Sequence, residues 1–79
     1  MRVLLFARAR ELAGSGHVDV DLPAAATVAD LRRCLAQQCS RLAGLAARSA
    51  IAVNGDYADD AAPLPANAEV ALVPPVSGG

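Results

Sequence analysis

Apolar and polar positions divide the chain into short segments of two different periods. Residues 2–7 hold a continuous apolar run, Val3-Leu4-Leu5-Phe6, of strand length. Residues 9–13 fit one helical turn, and Gly14 supplies a left-handed stop after it. Residues 17–22 then alternate. Val18, Val20 and Leu22 point one way and His17, Asp19 and Asp21 the other, which predicts a strand with one wet face and makes His17 a solvated side chain. Beyond Pro23 the period changes: Val28, Leu31, Leu35, Cys39 and Leu42 recur at three- and four-residue steps, so a helix with one apolar stripe is predicted from Val28 to about Ser40. Thr27 is its N-cap, and Asp30 three residues later completes a capping-box pattern that also suits the helix dipole. The Ala-rich residues 41–49, with Gly44 among them, fit a second short helix or a loop. Residues 50–53 read as a strand, Asn54-Gly55 as a turn, the vicinity of Tyr57 as a very short strand, and residues 69–73 as the last strand. Pro74-Pro75 ends it, because neither residue can donate to a ladder.

This order predicts an α+β fold, a mixed sheet of four to five strands curled around one main helix. The first and last strands, both nearly continuous in apolar character, suit central parallel neighbours. That arrangement is the β-grasp, or ubiquitin-like, fold, with residues 1–73 as the domain and residues 74–79 as an extended tail. If Val3 and Leu5 face the helix, Leu4 and Phe6 face outward, and Ala71 and Val73 do so on the neighbouring strand. The result is an apolar patch at the root of the tail, extended by Tyr57, of the kind that marks an interface. The competing expectation is that residues 9–13 or 41–49 cover this face.

Composition narrows the function more than the fold. The chain has 79 residues, enough for one small core, and its 54% hydrophobic content excludes intrinsic disorder. A net charge of -1 excludes binding to nucleic acid by phosphate neutralisation. No apolar run is long enough for a membrane span, and the opening residues are too short for a signal peptide, so the expected location is the cytoplasm. Cys34 and Cys39 are five apart, on different sides of a helix, and His17 is the only histidine, so neither a local disulfide nor a metal site is expected. The expected state of both cysteines is a half-buried thiol. All seven basic residues are arginine. There is no nucleophile–base pair, phosphate loop or paired carboxylate in a plausible cleft, so the chain alone is not expected to be an enzyme.

The tail is where chemistry is expected. Six residues from Pro74 reach at most about 20 Å when extended. The prolines stiffen its base toward polyproline II, while Gly78 and Gly79, lacking Cβ atoms, fit a channel too narrow for side chains. The Gly79 carboxylate is then the one reactive group presented.

The sequence also resembles a known family. Val3-Leu4-Leu5-Phe6-Ala7 with Arg10-Glu11-Leu12-Ala13-Gly14, then Ala52-Val53-Asn54, and above all Glu69-Val70-Ala71-Leu72-Val73-Pro74-Pro75-Val76-Ser77-Gly78-Gly79 are similar to the MoaD/ThiS family of sulfur carriers. The Pro-Pro-Val lead is that of the branch serving molybdopterin synthase, and the match covers nearly the whole length. One departure is Val73, where that branch commonly carries an aromatic residue. The resemblance implies that an E1-like adenylyltransferase uses ATP to adenylate Gly79, and that a persulfide sulfur donor converts the adenylate to a thiocarboxylate. It implies that Pro74, Pro75, Val76, Ser77 and Gly78 thread that sulfur into the large subunit of molybdopterin synthase, where cyclic pyranopterin monophosphate accepts it. Two small and two large subunits would form the complex, and the chain itself would bind no cofactor and no metal. Carriers for thiamine, cysteine or tRNA thiolation, a ubiquitin-like protein modifier, and an interaction module with an inert tail are the alternatives.

Overall fold

A computed structural model describes residues 1–75 as a five-stranded mixed sheet with its helices packed on one face. Strands β1 (Arg2–Leu5), β2 (His17–Asp19), β3 (Ala50–Val53), β4 (Asp56–Tyr57) and β5 (Val70–Val73) lie in the order β2-β1-β5-β3-β4. Val76, Ser77, Gly78 and Gly79, the outer part of the expected tail, lie outside the described residues. The central pair β1–β5 is parallel, with Val3 opposite Val70, Leu4 opposite Ala71 and Leu5 opposite Leu72. The remaining pairs are antiparallel. The β-grasp expectation is met, including its central first-and-last pair.

Period-2 alternation decides which side chains enter the core. Val3, Leu5, Ile51, Val70 and Leu72 are buried on one face of the sheet. They pack on Val28, Leu31 and Leu35, the stripe of helix α2 (Val28–Gln38). Thr27 caps α2 as its sequence predicts: its Oγ1 accepts from the Asp30 N–H at 3.3 Å, and its own N–H donates to the Asp30 carboxylate at 2.9 Å.

Five boundaries differ from the sequence expectations, the smallest being β5, which begins at Val70 rather than Glu69. The first strand stops at Leu5, because Ala7 takes a positive φ of 50° and turns the chain into helix α1 (Ala7–Ala13). This helix is longer than the single expected turn, buries Ala9, and ends at Gly14 with φ 71°. The second strand ends at Asp19, although Val20 still exchanges hydrogen bonds with Met1. Helix α2 ends at Gln38, so Leu42 belongs to a following 3₁₀ turn (Ser40–Leu42) and reaches the same core from there. Residues 41–49, compatible with helix or loop in sequence, continue as helix α3 (Ala43–Arg48), which buries Leu45 and Ala46. Asn54 (φ 51°) and Gly55 (φ 86°) both adopt the left-handed conformation expected of a tight hairpin.

One side chain ties the helical layer together. Arg32 donates from Nε to the Asp60 carboxylate at 2.8 Å and from Nη1 to the carbonyls of Ala46 and Ser49. It thereby satisfies a carbonyl in the last turn of α3, which helix geometry leaves without a partner. Close by, the Ser49 hydroxyl is buried with no hydrogen-bond partner among the described residues. Such an orphan costs about 1–3 kcal/mol.

Thr27→Ala should lower stability by about 1 kcal/mol, seen as a fall in Tm of roughly 4–8 °C for a domain of this size, whereas Ser49→Ala should raise Tm. The Thr27 backbone N–H, followed by Arg33, holds the Asp30 carboxyl below its ordinary value of 3.8. A depressed carboxyl favours the folded state above its unfolded pKa and loses that contribution as pH falls through the lower folded value. Acid titration of unfolding should therefore show stability falling below about pH 3.8, with a shallower acid limb in Asp30→Asn.

Candidate functional site at the root of the tail

The face of the sheet opposite the helices carries a continuous apolar row. Strand registers place Leu4 beside Ala71, Ala71 beside Ala52, and Ala52 beside Tyr57, with His17 next to Leu4 at the other end. One step toward the tail, Val73 pairs with Ala50, and Phe6 follows β1 in extended conformation (φ -127°, ψ 157°), which keeps the strand alternation and turns its ring outward. Leu4, Ala52, Ala71 and Val73 are half-buried and take no part in the core cluster. Phe6 is 49% exposed and Tyr57 is 75% exposed. Two exposed aromatics on so small a domain bracket the row at its open end and at its edge.

Helix α1 and residues 41–49 do not cover this row. Their inward side chains, Ala9 from α1 and Leu42, Leu45 and Ala46 from the 3₁₀ turn and α3, belong to the core on the other face. All five residues expected at the interface, Leu4, Phe6, Tyr57, Ala71 and Val73, therefore share one surface. Sequence reasoning missed Ala50 and Ala52, although strand parity around the buried Ile51 places both on the same side.

The tail leaves from the middle of the sheet. β5 lies between β1 and β3, so Pro74 and Pro75 follow Val73 with a strand on either side rather than at an edge. Pro74 is half-buried and Pro75 exposed. Val76, Ser77, Gly78 and Gly79 fall beyond the described residues, so the structure places the base of the tail and its surroundings.

On the open face those surroundings are apolar: Phe6, Ala50 and Val73 carry no acid, base or nucleophile. The larger hollow, about 570 Å³ between Met1, Val20, Leu22, Pro23 and Leu64, lies at the opposite end of the sheet, with Asp21 as its one carboxylate. A second, of about 270 Å³, adjoins Arg2, Leu4 and Glu69. Among the described residues no three His, Cys, Asp or Glu side chains converge as a metal site requires, and Cys34 and Cys39 are free thiols. No helix is long and apolar enough to cross a membrane. Asp30, the carboxyl with a lowered pKa, is occupied by its helix cap. The described part of the molecule offers an exposed apolar face and a directed exit for the chain.

Comparison with known proteins places this geometry. The profile of the ThiS family matches residues 3–79. The molybdopterin synthase sulfur carrier subunit of Arabidopsis thaliana is 37% identical, with 100% of this chain and 82% of that protein covered. The protein of the same name from Dictyostelium discoideum is 35% identical over 99% and 94%. Among solved structures, SAMP1 of Haloferax volcanii superposes with a TM-score of 0.84 at 34% identity, covering 100% of this chain and 98% of that one. A complex of subunits 1 and 2 of the molybdopterin-converting factor from Helicobacter pylori gives a TM-score of 0.68 at 26% identity, over 99% and 96%. A full-length profile match and full-length relatives, on a β-grasp sheet whose tail leaves from its central strand, make this chain a member of the ThiS family.

Proposed function

We propose that the chain is the sulfur carrier of molybdenum cofactor synthesis, acting through the carboxylate of Gly79. The observation that carries this reading is the apolar row at the tail root, on a chain whose full-length relatives are named molybdopterin synthase sulfur carrier subunit. An E1-like adenylyltransferase joins the Gly79 carboxylate to AMP from ATP, releasing pyrophosphate. The terminal sulfur of a persulfide donor then displaces AMP to give an acyl disulfide, and a thiol attacks the donor sulfur, forming a disulfide with the donor and releasing Gly79 as a thiocarboxylate. Pro74 and Pro75 direct the strand away from the sheet, Val76 and Ser77 follow, and Gly78 and Gly79 present a tip slim enough for a buried active site. Within the large subunit of molybdopterin synthase, the thiocarboxylate sulfur attacks cyclic pyranopterin monophosphate, and water returns Gly79 to the carboxylate. Leu4, Phe6, Tyr57, Ala71 and Val73 bind the partners. The acids, bases and nucleotide site belong to those partners, so the chain needs no bound cofactor and works in the cytoplasm as a non-catalytic subunit. The complex of subunits 1 and 2 from Helicobacter pylori supports a large-subunit partner.

A second reading has its own observation. A structure titled small archaeal modifier protein 1, from H. volcanii, superposes with a TM-score of 0.82 at 31% identity. In that reading the activated Gly79 ends in an amide bond to a lysine of another protein.

Incubating the chain with ATP, its activating enzyme and a sulfur source should shift its intact mass by one oxygen-to-sulfur exchange on Gly79. No such exchange with any cognate activating enzyme would remove the carrier reading. High-mass adducts in extracts that vanish without Gly79 would favour the modifier. Removing Gly79 should abolish sulfur transfer while leaving thermal unfolding unchanged. Phe6→Ala should weaken binding to the large subunit by roughly 1–3 kcal/mol, the range of a buried aromatic anchor, with little change in Tm; the reverse pattern would place Phe6 in the core.

A further inference from the structure

The charges on this chain are sorted by position. α1, the 3₁₀ turn and α3 touch in series, α1 against the turn and the turn against α3. Together they carry Arg8, Arg10, Arg41 and Arg48, all exposed, against the single carboxylate of Glu11. The rest of the described chain holds three arginines and seven carboxylates, although the protein as a whole is slightly acidic. Two of those three arginines, Arg32 and Arg33, are paired with Asp60 and Asp30. Among the described residues the one ion pair of the cationic group is the loose Arg8–Glu11 contact at 4.0 Å, and Arg48 donates to the Gly44 carbonyl of its own helix.

The position of this group follows from the sheet. β1 ends at Leu5 opposite Leu72, so α1 begins at the end where β5 gives way to the tail. β3 begins at Ala50 opposite Val73, so Arg48, the last residue of α3, arrives at the same end. The carboxylates of Asp19, Asp56 and Glu69 lie toward the other end, where Asp19 pairs with Arg2 and Asp56 with Val53. Asp60 does approach α3, but Arg32 holds it. The base of the tail thus has the apolar row on its open face and, on the helical side, the start of α1 and the end of α3, which together with the 3₁₀ turn between them carry the four arginines.

We infer that the arginine crown formed by Arg8, Arg10, Arg41 and Arg48 is a docking surface for an acidic protein rim bordering the channel that receives the tail. This rests on the carrier reading, because it supposes a partner that accepts the tail. An apolar row tolerates sliding and by itself sets no unique orientation. Charges beside the tail root act beyond contact distance, orient the encounter and fix which side of the domain faces which lip of the channel. Exposed charges of this kind change association rates more than final affinity.

The test is the association rate of the full chain with the large subunit of its own synthase, from about 20 mM to about 0.5 M salt, a range over which screening of exposed charges becomes nearly complete. The wild-type rate should fall by about tenfold or more across the series. The triple variant Arg8→Gln, Arg41→Gln, Arg48→Gln should associate about tenfold more slowly at low salt and match wild type at high salt. Glu11→Gln, which removes the one carboxylate of the crown, should associate faster than wild type, and it keeps the test valid even if the triple variant folds poorly. A wild-type rate indifferent to salt, or variants that match wild type at low salt, would overturn the docking surface and leave the carrier reading standing. Failure of the wild-type chain to associate with the large subunit at all would remove both. Saturable binding of ATP or inorganic phosphate by the chain alone, abolished in the triple variant, would also overturn it, in favour of a small-anion site.

Discussion

Parallel pairing between the first and last strands is the constraint on which the rest of this structure depends. It places β5 at the centre of the sheet, flanked by β1 and β3, and so commits Val70 and Leu72 to the core and Ala71 and Val73 to the open face. Because β1 and β5 run the same way, the end of β5 meets the start of α1 at one end of the sheet. Because β3 runs against β5, the end of α3 arrives there too. Phe6, Ala50, Val73 and the arginines of α1 and α3 therefore converge on the exit of the chain from its domain. An edge position for β5 would have left that exit with neighbours on one side only.

A division of labour follows from this arrangement. Hydrophobic burial is spent almost wholly on one face, where three helices and the sheet share a core that includes Leu5, Leu31, Leu35, Leu42, Ile51 and Leu72. The other face keeps small side chains, alanines at 50, 52 and 71, with Leu4 and two aromatics among them. Small residues make a flat surface that a partner can approach closely, and the larger ones supply anchors. The core and the exposed apolar row thus lie on opposite sides of the same strands, so that changes on the open face need not disturb the core.

Much of this was legible in the sequence wherever a local rule decided the outcome. Strand parity identified the outward set from Leu4 to Val73, the Thr27–Asp30 spacing marked the start of α2, and Asn54-Gly55 marked the hairpin. Residues 41–49 were not legible, because Gly44 opposes the helix preference of the alanines around it; burial of Leu45 and Ala46 and the reach of Arg32 to the Ala46 carbonyl select the helix. The start of α1 was obscured for a different reason, since the positive φ at Ala7 has no signature in an alanine. Ala50 and Ala52 were passed over because the outward alternation was traced on β1 and β5, where Ala71 was found, and not on β3. The arginine crown joins residues more than thirty positions apart, so it emerges only once α1 is seen against the 3₁₀ turn.

The central place of β5 also has a kinetic side. Its partners β1 and β3 do not pair with each other, so the sheet stays in two pieces until Val70–Val73 is available to join them. The closing contact spans nearly the full described chain, the kind of non-local pairing that slows folding because its loop entropy is lost before the contact forms. During synthesis, the earlier segments can form α2 and the β3–β4 hairpin but cannot complete the core. A nascent or truncated chain that stops short of β5 should therefore expose unpaired strand edges and invite aggregation. The strand that carries the tail is thus the one that completes the domain, and no folded handle can exist without it.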